Sequence, residues 1–145
     1  VKVIVDTCIW SYCLRHAGKQ NQLFAAHRAE LIELIKETRV CMLGLVRQEV
    51  LSGIKSHDQY LLLRDKLREF PDTELRTEDY ELAAEFLNKA RSRGIQGSTV
   101  DFLLCSASHR LGYPVYTADA DFGFYAKCLP VRTYSPRFLQ YDVPR

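Results

Sequence analysis

The sequence predicts one α/β domain whose small, mainly parallel sheet is wrapped by helices, and three observations predict it. Short β-branched runs such as VKVIV at the start and PVYT near residue 115 read as buried strands. The longer stretches between them place apolar residues at helical spacing. Strands that alternate with helices require parallel crossovers, which cover both faces of the sheet. At 145 residues the chain suits a single domain, 1–145, with one hydrophobic core, and it holds no repeat, low-complexity segment or internal linker.

The elements follow in order. Val1 to Val5 is a strand with Lys2 its only polar residue, and it runs straight into Asp6. Ile9, Trp10, Cys13 and Leu14 cluster at helical spacing, so a helix covers Ile9 to Leu14; His16 to Gln22 is a polar loop. Leu31, Ile32, Leu34 and Ile35 form the apolar face of a helix from Leu23 to Glu37. Arg39 to Leu45 is a second buried strand ending near Gly44. A helix from about Val46 carries Glu49 and stops at Gly53. Gln59 to Phe70 is a half-exposed helix, and a short strand is expected around Glu74 and Leu75.

Thr77 is the expected N-cap of the next helix, with Glu78 and Asp79 favourably placed against the helix dipole. Its stripe of Leu82, Ala83, Phe86, Leu87 and Ala90 ends near Arg91, before GIQGS. Thr99 to about Leu111 is helical and stopped by Gly112. PVYT is a third strand and LPVRTY, Leu129 to Tyr134, a fourth; the tail from about 135 has no regular pattern.

Composition bounds the function only loosely. Hydrophobic residues make up 47% and charged residues 26%, the profile of an ordinary globular protein. No apolar run approaches the ~18 residues needed to span a bilayer, and no signal peptide is recognisable, so a cytoplasmic protein is expected, with no membrane partner. Five cysteines at irregular spacing, without CxxC, suggest neither a disulfide framework nor a zinc ribbon. Cys105 and His109 stand four apart, and a buried thiol beside a surface histidine is their plain reading. A net charge of +2 says little about partners.

The carboxylates say more. Asp6 follows the first strand, Asp119 and Asp121 follow PVYT, Glu49 opens the helix after RVCML, and Asp101 lies in the first turn of the helix before PVYT. Each has a bland reading. Asp6 can begin a helix, Glu49 can be a solvated residue, and Asp101 can complete a capping box with Ser98. Asp119 and Asp121 can be turn residues, with Asp121 capping a short helix. Together, however, they converge on the carboxyl end of one sheet, where open parallel sheets keep their sites. Carboxylates at close range need raised pKa values or a cation. Mg²⁺ or Mn²⁺ suits such hard oxygen ligands and leaves coordination open for a substrate phosphate.

The order of VDT (Val5 to Thr7), QEVLSG (Gln48 to Gly53), STVDFLLCSASHRLG (Ser98 to Gly112) and VYTADADF (Val115 to Phe122) resembles the PIN-domain ribonucleases, especially VapC-type toxins of bacterial toxin–antitoxin pairs. The likeness runs over nearly the whole chain. It implies a three-layer α/β/α fold and a Mg²⁺- or Mn²⁺-dependent endoribonuclease acting on tRNA or mRNA. It carries over Asp6, Glu49, Asp101 and Asp119 as the acidic quartet, with Asp121 an accessory metal-site acid. By the same resemblance Asp6 and Asp101 are the firmest metal ligands, Glu49 and Asp119 complete the site or orient the attacking water, and Thr7 holds the quartet by hydrogen bonding. A homodimer and an antitoxin partner are also implied. One departure stands out: Cys8 occupies the place after Asp-Thr where such proteins commonly have Ser or Asn, and a thiol hydrogen-bonds poorly.

Arg15, His16, Lys19 and Arg47 are candidate phosphate contacts, and Trp10 and Tyr12 candidate faces for stacking unpaired bases, against the plain alternative of core and solvated surface. Rival folds fit less well. A haloacid-dehalogenase-type phosphatase needs a second Asp where this chain has Cys8. A response-regulator receiver needs paired acids after the first strand and a late Lys, whereas Asp6 is alone and LPVRTY offers Arg132. The remaining rival is a PIN-like scaffold that binds protein or RNA without catalysis; an intact quartet argues against it.

Overall fold

The computed structural model of the chain describes residues 1–14 and 21–141. Three short strands, β1 (Val3–Val5), β2 (Val40–Cys41) and β3 (Val115–Tyr116), form a parallel sheet in the order β2-β1-β3. Ile4 lies at its centre, paired with Cys41 on one side and Val115 on the other. All three β1 residues are buried, as a strand covered on both faces must be.

Helices α1 (Thr7–Leu14), α2 (Gln22–Lys36), α3 (Gly44–Leu51) and α4 (His57–Leu67) make one packed group, in which α1 lies against α2 and α3, and α3 against α4. Helices α5 (Thr77–Ser92), α6 (Thr99–Leu111) and α7 (Asp121–Cys128) make another, with α5 touching both others. This is the expected α/β/α arrangement. Trp10, Phe102, Tyr116, Phe122 and Tyr125 are the bulkiest fully buried side chains, each contributing roughly 1.5–3 kcal/mol of burial.

Helix α6 is the element that matters most for the site. Every residue from Phe102 to Ser108 is buried, so its N-terminus is held rigidly near the sheet. Ser98 caps it by accepting the Asp101 N–H at 3.1 Å. Gly112 ends it in the left-handed region, φ 71°, donating its N–H to Ser108.

Four expectations are corrected. LPVRTY is not a strand: Val115 and Thr133 form one isolated parallel bridge, and Pro130 brings no N–H to a ladder. Glu74 and Leu75 are not a strand either; the segment's backbone pairing with the sheet edge is one bridge, Met42 to Asp72. Thr77 is the first residue of α5 rather than its cap; Asp79 reaches back to accept the Arg76 N–H at 2.8 Å. The tail contains a short helix, α8 (Arg137–Tyr141), where Arg137 bonds Glu30 and Glu37 on and beside α2.

Candidate functional site

Because β1 and β3 are parallel neighbours, their carboxyl ends lie side by side. Asp6 leaves β1 there, its N–H donated to the Tyr116 carbonyl at 2.9 Å. The chain then turns at once into α1. The Asp6 carbonyl accepts the Ile9 N–H at 3.1 Å, and its Oδ1 accepts the Thr7 N–H at 2.8 Å. Thr117, just past β3, donates its hydroxyl to the other oxygen, Oδ2, at 2.8 Å. The same Thr117 oxygen accepts the Asp119 N–H at 3.0 Å, and Asp119 Oδ1 accepts the Asp121 N–H at 2.9 Å. One chain of hydrogen bonds thus runs from Asp6 to Asp121.

Glu49 joins from α3, where Thr7 donates its hydroxyl to Oε1 at 3.3 Å. Asp101 joins from α6. Its carboxylate does not return to Ser98 to complete a capping box; Oδ2 instead accepts the Tyr125 hydroxyl at 2.7 Å. The bland reading of Asp101 as a box acid therefore fails, since Ser98 makes the cap with the Asp101 backbone alone.

The acids feel one another. Asp6 is buried, and burial pushes its carboxyl above the usual range, aided by the charges of Asp101 and Asp119 and opposed by the Thr117 and Thr7 hydrogen bonds. Glu49 is exposed as a residue, yet partial burial of its carboxyl is the main cause of an upward shift that Asp6 and Asp101 reinforce. Asp121 is exposed in the first turn of α7, and its charge, with those of Asp101 and Asp119, is felt at Tyr125. Among the described residues, none of these five acids has a salt-bridge partner.

Fit to a divalent cation is a matter of donor chemistry. The available ligands are hard carboxylate oxygens, the set Mg²⁺ and Mn²⁺ take. Among the described residues no three acidic, histidine or cysteine side chains form a ready-made ligand cage. Mg²⁺ does not ask for one, since it keeps several waters and binds through one or two carboxylates. The residues fit a largely hydrated ion held loosely by the protein.

Three residues of this network carried little signal in the sequence. Thr117 and Tyr125 matter through hydrogen bonds spanning 111 and 24 residues, which local pattern cannot show. Cys8 proves to be part of the site. Its Sγ accepts the Ala118 N–H at 3.4 Å and lies 3.8 Å from Asp6 Oδ2, and burial beside Asp6 keeps it a neutral thiol.

The expected RNA contacts fare differently. Arg47 gives its guanidinium to Asp72 at 2.9 Å and to the carbonyls of Leu67 and Phe70, so it clamps α3 to the end of α4 instead of waiting for phosphate. Trp10 is buried with its ring edge-on to Phe70, and Tyr12 is already stacked on Phe24 at 4.1 Å. Arg15, His16 and Lys19 lie outside the described residues. Cys105 is buried, its thiol pushed up to about 12, and His109 is exposed against Phe86; they form no metal pair.

A family model described as the PIN domain matches residues 3–127. No curated protein sequence matches the chain. Among solved structures the fold is similar to FitAcB from Neisseria gonorrhoeae, with 19% identity over 92% of this chain and 97% of that one, at a TM-score of 0.73. It is also similar to VapBC2 from Rickettsia felis bound to a DNA fragment from their promoter, with 14% identity over 92% and 98% of the two chains and a TM-score of 0.72. No helix among the described residues is long and apolar enough to cross a membrane.

Proposed function

The chain belongs to the PIN domain family, and from that premise we propose that it is a metal-dependent endoribonuclease, the toxin of a toxin–antitoxin pair acting on RNA in the cytoplasm. PIN domains are generally nucleases, which supports hydrolysis of a phosphodiester. The observation that carries the reading is the convergence of Asp6, Glu49, Asp101 and Asp119 from separate elements, without an ion-pair partner among the described residues.

In this reading Asp6 and Asp101 would be the direct ligands of a largely hydrated Mg²⁺ or Mn²⁺, with Asp119 and Asp121 completing the site through its waters. When bound, the ion makes an attacking water more acidic and neutralises charge on the phosphate. Glu49 faces that water, and Thr7 fixes its carboxylate relative to Asp6. Thr117 keeps Asp6 and the Asp119 loop in register. Arg15 and Lys19, which lie outside the described residues, are the proposed phosphate contacts; Arg47 is not. An antitoxin partner is supported by the structural likeness to FitAcB and VapBC2. A homodimer is proposed from the resemblance to VapC-type toxins.

The test uses purified full chain freed of any partner, labelled total tRNA and a structured mRNA, with Mg²⁺, Mn²⁺ or excess EDTA. Asp101→Asn runs in parallel, since its Ser98 cap does not use the carboxylate. Cleavage that needs metal and falls about a hundredfold or more in the variant is expected. Equal cleavage by the variant refutes the site. Absence of both cleavage and Mn²⁺ binding assigns the domain to the scaffold class.

A further inference from the structure

Tyr125 brings its hydroxyl to Asp101 and has no place in the chemistry outlined above. It is 0% exposed on α7, with the Phe102 ring centroid at 5.0 Å and that of Phe122 at 5.1 Å, so neighbouring rings fix its orientation. The loop before α6 closes on it as well. A Cβ at Gly97 would lie 2.3 Å from the Tyr125 Oη and 2.8 Å from Cζ, closer than real Cβ contacts come, so only glycine admits the phenol here. The hydroxyl so held donates to Asp101 Oδ2 at 2.7 Å. Among the described residues, Asp101 Oδ1 accepts no hydrogen bond. With its backbone N–H fixed by Ser98, Asp101 is pinned at two points and has one uncommitted oxygen.

We propose that Tyr125 is a positioning residue that makes Asp101 a one-oxygen ligand, biasing the site toward a small octahedral cation and against Ca²⁺. The inference rests on Asp101 being a metal-holding residue, as proposed above. Its physical basis is coordination geometry. Mg²⁺ and Mn²⁺ take single oxygens in a tight octahedron, whereas Ca²⁺ readily takes both oxygens of a carboxylate in a looser, larger shell. A strong hydrogen bond to Oδ2 ties that oxygen to the protein and opposes the two-oxygen mode. Partners that orient a ligand in this way typically govern about 10–100-fold in metal affinity.

A buried phenol also needs a hydrogen-bond partner simply to be buried, and that role predicts a loss of thermal stability alone. Cation preference separates the two. Isothermal titration of the full chain with MnCl₂ and with CaCl₂ is carried out on wild type, Tyr125→Phe and Gly97→Ala, with circular dichroism to check folding. The expected result for Tyr125→Phe is Mn²⁺ binding weakened about tenfold, with Ca²⁺ binding unchanged or tighter. Gly97→Ala keeps the phenol but displaces it, and shifts the ratio the same way. An unchanged Mn²⁺-to-Ca²⁺ ratio in folded Tyr125→Phe, or in Gly97→Ala should the first variant not fold, overturns this inference and leaves the nuclease reading standing. Wild type that binds neither ion overturns the metal reading itself.

Discussion

Asp6 shows at the scale of one residue how a site can work against its own fold. Its carboxylate accepts the Thr7 N–H and the Thr117 hydroxyl, yet burial and two neighbouring acids outweigh both and raise its pKa. For an acid, a raised pKa in the folded state means that folding favours the protonated form. The charged group therefore subtracts stability at neutral pH, and the loss is relieved as pH falls through the raised value toward about 4. Asp6→Asn keeps an acceptor for the Thr7 N–H and removes the charge. We expect it to melt about 2–4 °C higher than wild type at pH 7.5 without metal, a gain that vanishes near pH 4. Mn²⁺ should reverse the order, raising the melting point of wild type and leaving the variant unmoved. Differential scanning fluorimetry at the two pH values, with and without MnCl₂, reads all of this. A variant that melts lower at pH 7.5 in the absence of metal would show that Asp6 is held as a structural anion instead.

Between elements, the apolar packing of α5 against α6 is joined by one ion pair whose acid is buried. Asp79 is 1% exposed and accepts Arg110 Nε at 2.6 Å, while the same guanidinium reaches the Glu74 carbonyl at 3.1 Å. Removing the cation strands a buried carboxylate, so Arg110→Ala is expected to cost about 3 kcal/mol, measured by urea unfolding. A cost below about 1 kcal/mol would mean that the pair behaves as a surface bridge. The same joint marks how far sequence reads into structure. Helix α6 was legible to the residue because both its ends carry local chemistry, the Ser98 hydroxyl and the left-handed Gly112. The start of α5 was misread because the Asp79 carboxylate, not the Thr77 hydroxyl, serves the first turn. LPVRTY carries strand composition, but sheet membership needs a partner along its length, and Val115 offers one residue of pairing. The acids, each directly after a strand or on a helix next to one, were legible by position. Thr117 and Tyr125 were not, because their partners are distant in sequence.

The whole molecule is closed by contacts between its two ends, far from the acids but tied to them through β3. Tyr116 precedes Thr117 in the chain and shares a 2.6 Å hydrogen bond with His27 on α2. Tyr12 of α1 stacks on His27 from one side, and Phe138 of α8 meets it edge-on. Nearby on α2, the buried Glu30 accepts the Tyr134 hydroxyl and Arg137 Nε, which docks the tail. Burial lowers the His27 pKa and Glu30 partly opposes it. A lowered histidine pKa means that the unfolded chain binds the proton more readily. Its contribution to stability is complete above about pH 6.5 and is lost as pH falls below that value. Asp6 and Glu49 act with the opposite sign, gaining stability as pH falls toward 4. The His27 contribution to the unfolding free energy should therefore fall between pH 7.5 and 5.5. His27→Gln removes the titrating group, and although it lowers stability at both pH values, it should flatten that slope. Urea titrations of wild type and variant at pH 7.5, 6.5 and 5.5 measure it directly. Parallel slopes would mean that His27 takes up its proton equally in the folded and unfolded states, and that any change of stability on acidification arises elsewhere.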